Sequence, residues 1–422
     1  MSHLPLAELK WTLGFTDPAQ VRRQATAVGE TGPTRRVWRG NGLCWELPEQ
    51  LQDLSRLAVE TGGGGASTLY QFLVDSHSDG MIVLHRGAVV YEQYLHGLRR
   101  QGLHLTASMA KAFIGLLAGI LEDQGLFTRD DQVSTYVPEL AGTAFGDATI
   151  RHLLDMTTQV AYGGREFHRE VEAHRWWAVV APAMRPDGYD GPKTLLDRLT
   201  TARATGPYGE VFHYENGSCE AMGALISRVT GATVSDLMSE LIWSKIGADE
   251  DARYILDAAG AETACGGYAA TLRDIAKVGE MLRCGGALGD RQIVPESVVR
   301  AISTVPEGAT AQVRLPRASA NSPATMSYRD YWWILNDPFD SFMASGIHGQ
   351  RLFVSRELDL VVAHFGSQII SPCVATPPFP AVFTRIGKHL SASGVKDAAD
   401  QVTDGEKLSV LEEAALEAEA HR

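Results

Sequence analysis

A chain of 422 residues with 45% hydrophobic and 21% charged side chains has the composition of a folded protein with room for a large core, which excludes disorder as its default state. Its formal net charge of −13 argues against nucleic acid as a partner, because a phosphate backbone calls for a basic stripe. Part of that charge is local: residues 397–422 hold eight acids against Lys407 and Arg422, a balance of −6, and read as a solvated tail.

The opening residues MSHLPLAELKWTLGF lack a basic start followed by an apolar stretch, and no later run reaches membrane-spanning length, so a cytoplasmic protein is expected. Residues 1–75 alternate short helical patterns with Gly and Pro turns, and Gly62 to Gly65 form a break. That glycine run lacks the lysine of a phosphate loop and reads as a linker. Met81 to His85 and Ala88 to Tyr94 are β-rich runs around Arg86-Gly87, a hairpin signature. Helical patterns follow at 109–124, 131–137, 149–156, 193–201, 218–230, 233–246 and 271–284. Strand signals return at Tyr331 to Leu335, Arg351 to Ser355 and Leu358 to Phe365, before a closing helix from Phe379 to Leu390. Strands at both ends with helices between them predict an α+β fold: an antiparallel sheet from the N- and C-terminal segments, flanked by helices, with a mainly helical domain inserted. The expected boundaries are an N-terminal extension over 1–75, a sheet domain over 76–110 and 300–392, a helical domain over 111–299 and the tail over 393–422. The cleft between sheet and helical domain is the natural site.

Ser108-Met109-Ala110-Lys111 opens the apolar stretch AFIGLLAGIL. Serine and lysine three residues apart on a helix share one face, which brings the amine within reach of the hydroxyl. Phe113, Ile114, Leu116, Leu117, Ile120 and Leu121 cover every side of that helix, so it runs through a core. Burial there is expected to push Lys111 towards its neutral form, fit to act as a general base. A second SxxK at Ser393 to Lys396 sits in the polar tail with no apolar helix behind it and reads as chance.

Two further groups have chemistry. Tyr214-Glu215-Asn216 precedes the helical pattern CEAMGALISRVTG. Its tyrosine can hold a phenolate near an ammonium or pass a proton to a leaving group, and its asparagine amide both donates and accepts. Ala344-Ser345-Gly346-Ile347-His348-Gly349-Gln350 precedes the strand RLFVS, where glycine lets backbone approach a ligand and amides can stabilise an oxyanion. Cys44, Cys219, Cys265, Cys284 and Cys373 are odd in number and free of CxxC pairs, which fits reduced thiols. The pair His168 and His174 lacks HExxH spacing, no GxSxG occurs, and no cofactor or metal is expected. Trp176, Trp177, Tyr331, Trp332 and Trp333 either line an apolar pocket or pack the core.

In order and spacing, SMAK, YEN and the Gly-rich strand entrance resemble the serine β-lactamase and penicillin-recognising superfamily, in particular its class C branch. Within it, YVPELAG, LLDMTTQVAY, GEVFHYENGSCEAMGALISRVTG, GGYAATLRDIAKVGEML and SGIHGQRLF are similar to 6-aminohexanoate-dimer hydrolase, a nylon-oligomer amidase, and its relatives, over residues 80–370. The resemblance implies a β-lactamase-like fold with Ser108 as nucleophile, Lys111 as its base and Tyr214 as proton relay. It implies Ser108 N–H and Ile347 N–H as the oxyanion hole, and Tyr162, Asn216, Cys265 and His348 as substrate contacts. Tyr162 and His348 have equally good readings as a loop aromatic and a structural histidine. Two departures matter: Ala344-Ser345-Gly346 replaces the Lys-Thr-Gly that meets a β-lactam carboxylate, and Cys265 replaces an amide-holding asparagine. The expected partner is a small-molecule amide or ester, with neither nucleic acid nor membrane, and a homodimer is left open. Hydrolysis and acyl transfer share an acyl-enzyme, so both stay open, and an inactive binding module on this fold is the alternative of another class.

Overall fold

A computed structural model describes residues 17–61, 65–162, 179–180, 185, 189–310, 313–314, 325–369 and 378–392. Gly62 to Gly64, His168, His174, Trp176, Trp177, Cys373, the second SxxK and the acidic tail lie outside the described residues.

The main sheet has eight strands: β1 Ser78–His85, β2 Ala88–Tyr94, β3 Val313–Arg314, β4 Thr325–Arg329, β5 Trp332–Ile334, β6 Ser341–Ser345, β7 Arg351–Ser355 and β8 Leu360–Gly366. They lie antiparallel in the order β3-β4-β5-β6-β7-β8-β1-β2, so the last strand in sequence pairs with the first. The β1–β2 hairpin turns through Arg86 and Gly87 at φ 53° and 82°, the left-handed pair that matches strand twist. Side chains of β1 alternate between two cores. Ile82 and Leu84 join the larger cluster, Met81 and Val83 the cluster under the terminal helix, which is why this strand reads as an unbroken apolar run.

Four helices matter for the site: α1 Ala110–Asp123, α2 Asn216–Thr230, α3 Leu272–Arg283 and α4 over 379–392. On one face of the sheet α3 lies close to β7 and β8, since a Cβ at Gly279 would stand 2.5 Å from Val361 and 2.7 Å from Leu352. On the other, α4 brings Phe379 and Phe383 against Phe72 and Phe353. Every residue of α1 from Ala110 to Leu121 is buried, as its pattern predicts. A smaller antiparallel sheet pairs Thr34–Val37, Ala252–Ile255, Tyr268–Ala270 and His104–Leu105, and the last of these leads directly into Ser108.

Several elements differ from expectation. Residues 131–137 form only a short 3-10 turn, Val133–Thr135. The stretch 233–246 is helical from Val234 to Met238 and then widens to a π-turn over Ser239–Trp243. The strand expected from Tyr331 begins at Trp332, because Asp330 and Tyr331 at φ 50° and 67° make the β4–β5 hairpin turn. Strands β3, β4 and β6 and the small sheet were not expected. Among the described residues no helix is long and apolar enough to cross a membrane.

Candidate active site

Ser108 lies in a single 3-10 turn, Ala107–Met109, that runs without a side-chain cap into α1. Ala107 holds φ 48°, a left-handed conformation costly for a residue with a Cβ, and it presents the half-buried Ser108 at the head of the helix. One turn on, Lys111 is 1% exposed. Its Nζ donates to Ser108 Oγ at 2.8 Å and to the carbonyl of Cys265 at 2.8 Å. That carbonyl is aimed by Glu220 of α2, whose carboxylate accepts from Ala264 N–H at 2.9 Å and Cys265 N–H at 3.2 Å.

The charge on Lys111 differs from expectation. Burial disfavours the ammonium, but the electrostatic pull of Tyr214, then of Cys265 and Cys219, with a hydrogen bond to Tyr214, outweighs it and raises the Lys111 pKa above the ordinary lysine range. Burial pushes both thiols well up, so they stay protonated beside the lysine. Lys111 Nζ stands 5.1 Å from the centre of the Tyr214 ring.

Tyr214 is 39% exposed, so it is open to solvent while lying against the lysine. Its ring stacks on Trp333 of β5, with centroids 6.4 Å apart and planes inclined by 16°. Tyr328 and Phe212 complete the group, Tyr328 standing opposite Trp333 across the β4–β5 ladder with centroids 4.6 Å apart. Of the aromatic run, Tyr331 and Trp332 are core residues at 2% and 0% exposure, and Trp332 Nε1 donates to Ala112 O of α1. Trp333 alone of the three is half-buried and borders the site. Sequence marked these aromatics as a group; only the strand register separates them.

On the sheet side β6 ends at Ser345, and Gly346 presses on the serine turn. A Cβ at Gly346 would lie 2.5 Å from Thr106 O and 3.1 Å from Met109 N. Next come Ile347 and His348, the latter at φ 68°. Left-handed residues thus sit before Ser108 and after Ile347. The His348 ring meets the Gln368 carbonyl through Nδ1 at 2.5 Å, and burial, set against that bond, lowers its pKa to about 4.

The remaining predicted contacts are placed as follows. Tyr162 ends the short strand Val160–Tyr162, donates to Glu215 Oε1 at 2.6 Å and lies under the Arg198 guanidinium at 4.2 Å. Glu215 also accepts from Gly217 N–H at 2.8 Å, capping α2. Asn216 is exposed on the first turn of α2, beside Tyr214. Cys265 is 3% exposed and meets the site through its carbonyl, not its thiol. Ala344, in the position of the missing cation, is fully buried in β6.

An antiparallel sheet flanked by helices, with a serine at the head of a buried helix, is the arrangement of a β-lactamase-like hydrolase. The chain belongs to the β-lactamase family, whose model matches residues 71–368. It is 29% identical over 299 residues to 6-aminohexanoate-dimer hydrolase of Paenarthrobacter ureafaciens, covering 71% of this chain and 75% of that one. A solved Bacillus anthracis structure assigned as a 6-aminohexanoate-dimer hydrolase superposes with a TM-score of 0.80 at 31% identity, over 89% of this chain and 96% of the other. A class C β-lactamase from Rhodobacter sphaeroides shares the fold, with a TM-score of 0.52 at 16% identity over 76% and 97% of the two chains.

Proposed function

We propose that this hydrolase cleaves a small amide or ester through an acyl-enzyme on Ser108. The observation that carries the reading is the 2.8 Å bond from a buried lysine to the serine hydroxyl, with a half-exposed tyrosine against the same lysine. In this reading Lys111 keeps its proton, and the base is Tyr214 in the phenolate form that an adjacent ammonium favours. Ser108 Oγ attacks the substrate carbonyl and its proton passes to Tyr214, while Ser108 N–H and Ile347 N–H receive the oxyanion. Tyr214 then gives that proton to the departing nitrogen or oxygen, the C–N or C–O bond breaks, and the acyl group remains on Ser108. Water repeats the sequence: its proton goes to Tyr214, its oxygen to the carbonyl carbon, and Tyr214 reprotonates Ser108 as the acid leaves. Each group ends as it began.

The replaced positions bear on substrate. Ala344 offers no cation for a β-lactam carboxylate, and the Cys265 thiol is buried, so similarity to 6-aminohexanoate-dimer hydrolases supports amide chemistry without supporting that dimer as substrate. The test is a burst of nitrophenol from a 4-nitrophenyl ester, with fluorophosphonate labelling, in wild type and Ser108→Ala. The variant is expected to lose both; equal bursts would remove the catalytic claim. Product analysis with added amine separates hydrolysis, which yields the carboxylic acid alone, from acyl transfer.

A further inference from the structure

Tyr214 has no rigid element under it: it lies in the extended segment just before α2. Its orientation comes from the chain across from it. His213 N–H donates to the Met156 carbonyl at 2.7 Å, and Glu215 N–H donates to Met156 Sδ at 3.3 Å. One residue therefore holds the amides on both sides of the tyrosine. Met156 is fully buried at φ 54°, a left-handed conformation that turns carbonyl and side chain to the same neighbour. The segment behind it repeats the attachment, with Thr158 Oγ1 and Ser218 Oγ 2.8 Å apart and the Thr158 carbonyl 3.1 Å from His213 Nδ1.

Met156 is in turn anchored by Asp155. Asp155 Oδ1 accepts from Asp330 N–H at 3.4 Å, and Tyr331 N–H donates to Leu154 O at 3.2 Å. Asp330 and Tyr331 form the β4–β5 turn, the hairpin that carries Trp333 against Tyr214. Arg129 donates to Asp330 Oδ1 at 2.5 Å and to Glu122 Oε2 at 2.7 Å, tying the turn to α1 as well. The tyrosine and the ring it stacks on are thus fixed to one another through two adjacent residues.

We propose that Asp155 and Met156 form a clamp that positions Tyr214 for proton transfer. They are positioning residues, and the proposal rests on the acyl-enzyme reading above. The charged and titratable groups facing Asp155 are Asp330, Arg329, Arg129, Tyr328 and Tyr331. Burial first, then the Asp330 charge, push the Asp155 carboxyl up to about 7, with both arginines and the Asp330 N–H bond opposing. Once Asp155 ionises, its charge is repelled by that of Asp330 across the contact that anchors Met156.

The test is pre-steady-state acylation by 4-nitrophenyl acetate, normalised to active sites by burst amplitude, in Asp155→Asn and Met156→Leu. Met156→Leu keeps the carbonyl and removes the sulfur acceptor, and is expected to slow acylation roughly 3- to 10-fold per active site with little change in KM. The acylation ratio of Asp155→Asn to wild type is expected to rise by roughly 3-fold or more between about pH 6 and pH 8.5, since the amide cannot ionise. In a Tyr214→Phe background neither substitution should have a further effect. If Ser108→Ala bursts like wild type, the acyl-enzyme reading falls. If Ser108→Ala is silent while both clamp variants acylate like wild type at both pH values, or slow Tyr214→Phe as much as wild type, the clamp falls and that reading stands.

Discussion

Gly346 shows how a side chain that is missing can build a site. Its φ of −127° is open to any residue, so backbone freedom is not what glycine supplies there. It supplies space: a Cβ would stand 2.5 Å from the Thr106 carbonyl oxygen, and backbone cannot yield as a flexible side chain would. Gly346→Ala should therefore push β6 away from the serine turn and separate the Ile347 and Ser108 amides. Loss of one aligned oxyanion donor is worth on the order of 10²-fold in kcat, with KM less affected. Steady-state kinetics on a nitrophenyl ester check this, and an unchanged kcat would mean that the two amides do not act on a common oxygen. At this scale the sequence was partly legible. Ser108, Lys111 and Tyr214 stand out by spacing and context, because their chemistry needs particular side chains. The sequence shows the burial that would favour a neutral Lys111, but not the effect of Tyr214, which raises the lysine pKa from more than a hundred residues away. Met156 left no chemical signature and Trp333 stood out only as one of a group of aromatics, because their importance lies in contacts that only the fold creates.

At the level of elements, β1 and β8 with the loops at their ends enclose a polar cluster. His364 of β8 meets the Gly349 carbonyl through Nδ1 at 2.6 Å and Ser78 Oγ through Nε2 at 2.7 Å. Asp79 of β1 takes Arg22, His104 and Ser367. Burial lowers both His364 and His348 to about 4. A histidine with a depressed folded pKa stays neutral in the native state while the unfolded chain binds a proton below about 6.5. Native stability therefore falls as the pH drops from there to about 4, by on the order of 3 kcal/mol for each ring. Asp79, held below the usual carboxylate range by His104, Ser367 and Arg22 against its burial, adds a loss at lower pH still. Asp155 works in the opposite sense, since a raised carboxyl costs stability as pH rises from about 4 to 7. His364→Gln isolates the histidine contribution: urea midpoints at about pH 7 and pH 5 should differ less in the variant than in wild type, and an equal difference would place the acid sensitivity elsewhere. The sheet core around this cluster also explains the unexpected strands. All but the last residue of β6 are buried, so it shows no alternation between apolar and polar residues, and β3 has two residues, too few for any period.

Across the whole molecule, α1 is the axle on which sheet, helical unit and nucleophile meet, and two glycines set its depth. Gly115 and Gly119 lie four apart on one face. A Cβ at Gly115 would fall 2.1 Å from the Asp330 carbonyl oxygen, and one at Gly119 would fall 2.6 Å from a Val298 methyl carbon. The sequence shows α1 as buried on every side and the sheet as built from both chain ends, because an all-apolar helix and a β-hairpin are local patterns. It does not show which neighbour α1 touches, since the β4–β5 turn lies some two hundred residues away in the chain. Helix propensity alone predicts that either Gly→Ala change stabilises the protein by about 1 kcal/mol. The contacts predict otherwise for Gly115. Its obstacle is the backbone of a tight turn also held by Arg129 and Asp155, so relief requires moving the whole hairpin. Gly115→Ala should cost at least about 2 kcal/mol net and slow acylation, since the same turn anchors the clamp on Tyr214. Gly119→Ala meets a valine side chain on the outer helix Glu296–Ser303, which has more room to shift, and should lose about 1 kcal/mol or less. Urea midpoints of the two variants, read together with acylation per active site, decide the matter. Equal midpoints would show that the hairpin yields as easily as the outer helix and that close approach at Gly115 does not fix the position of α1.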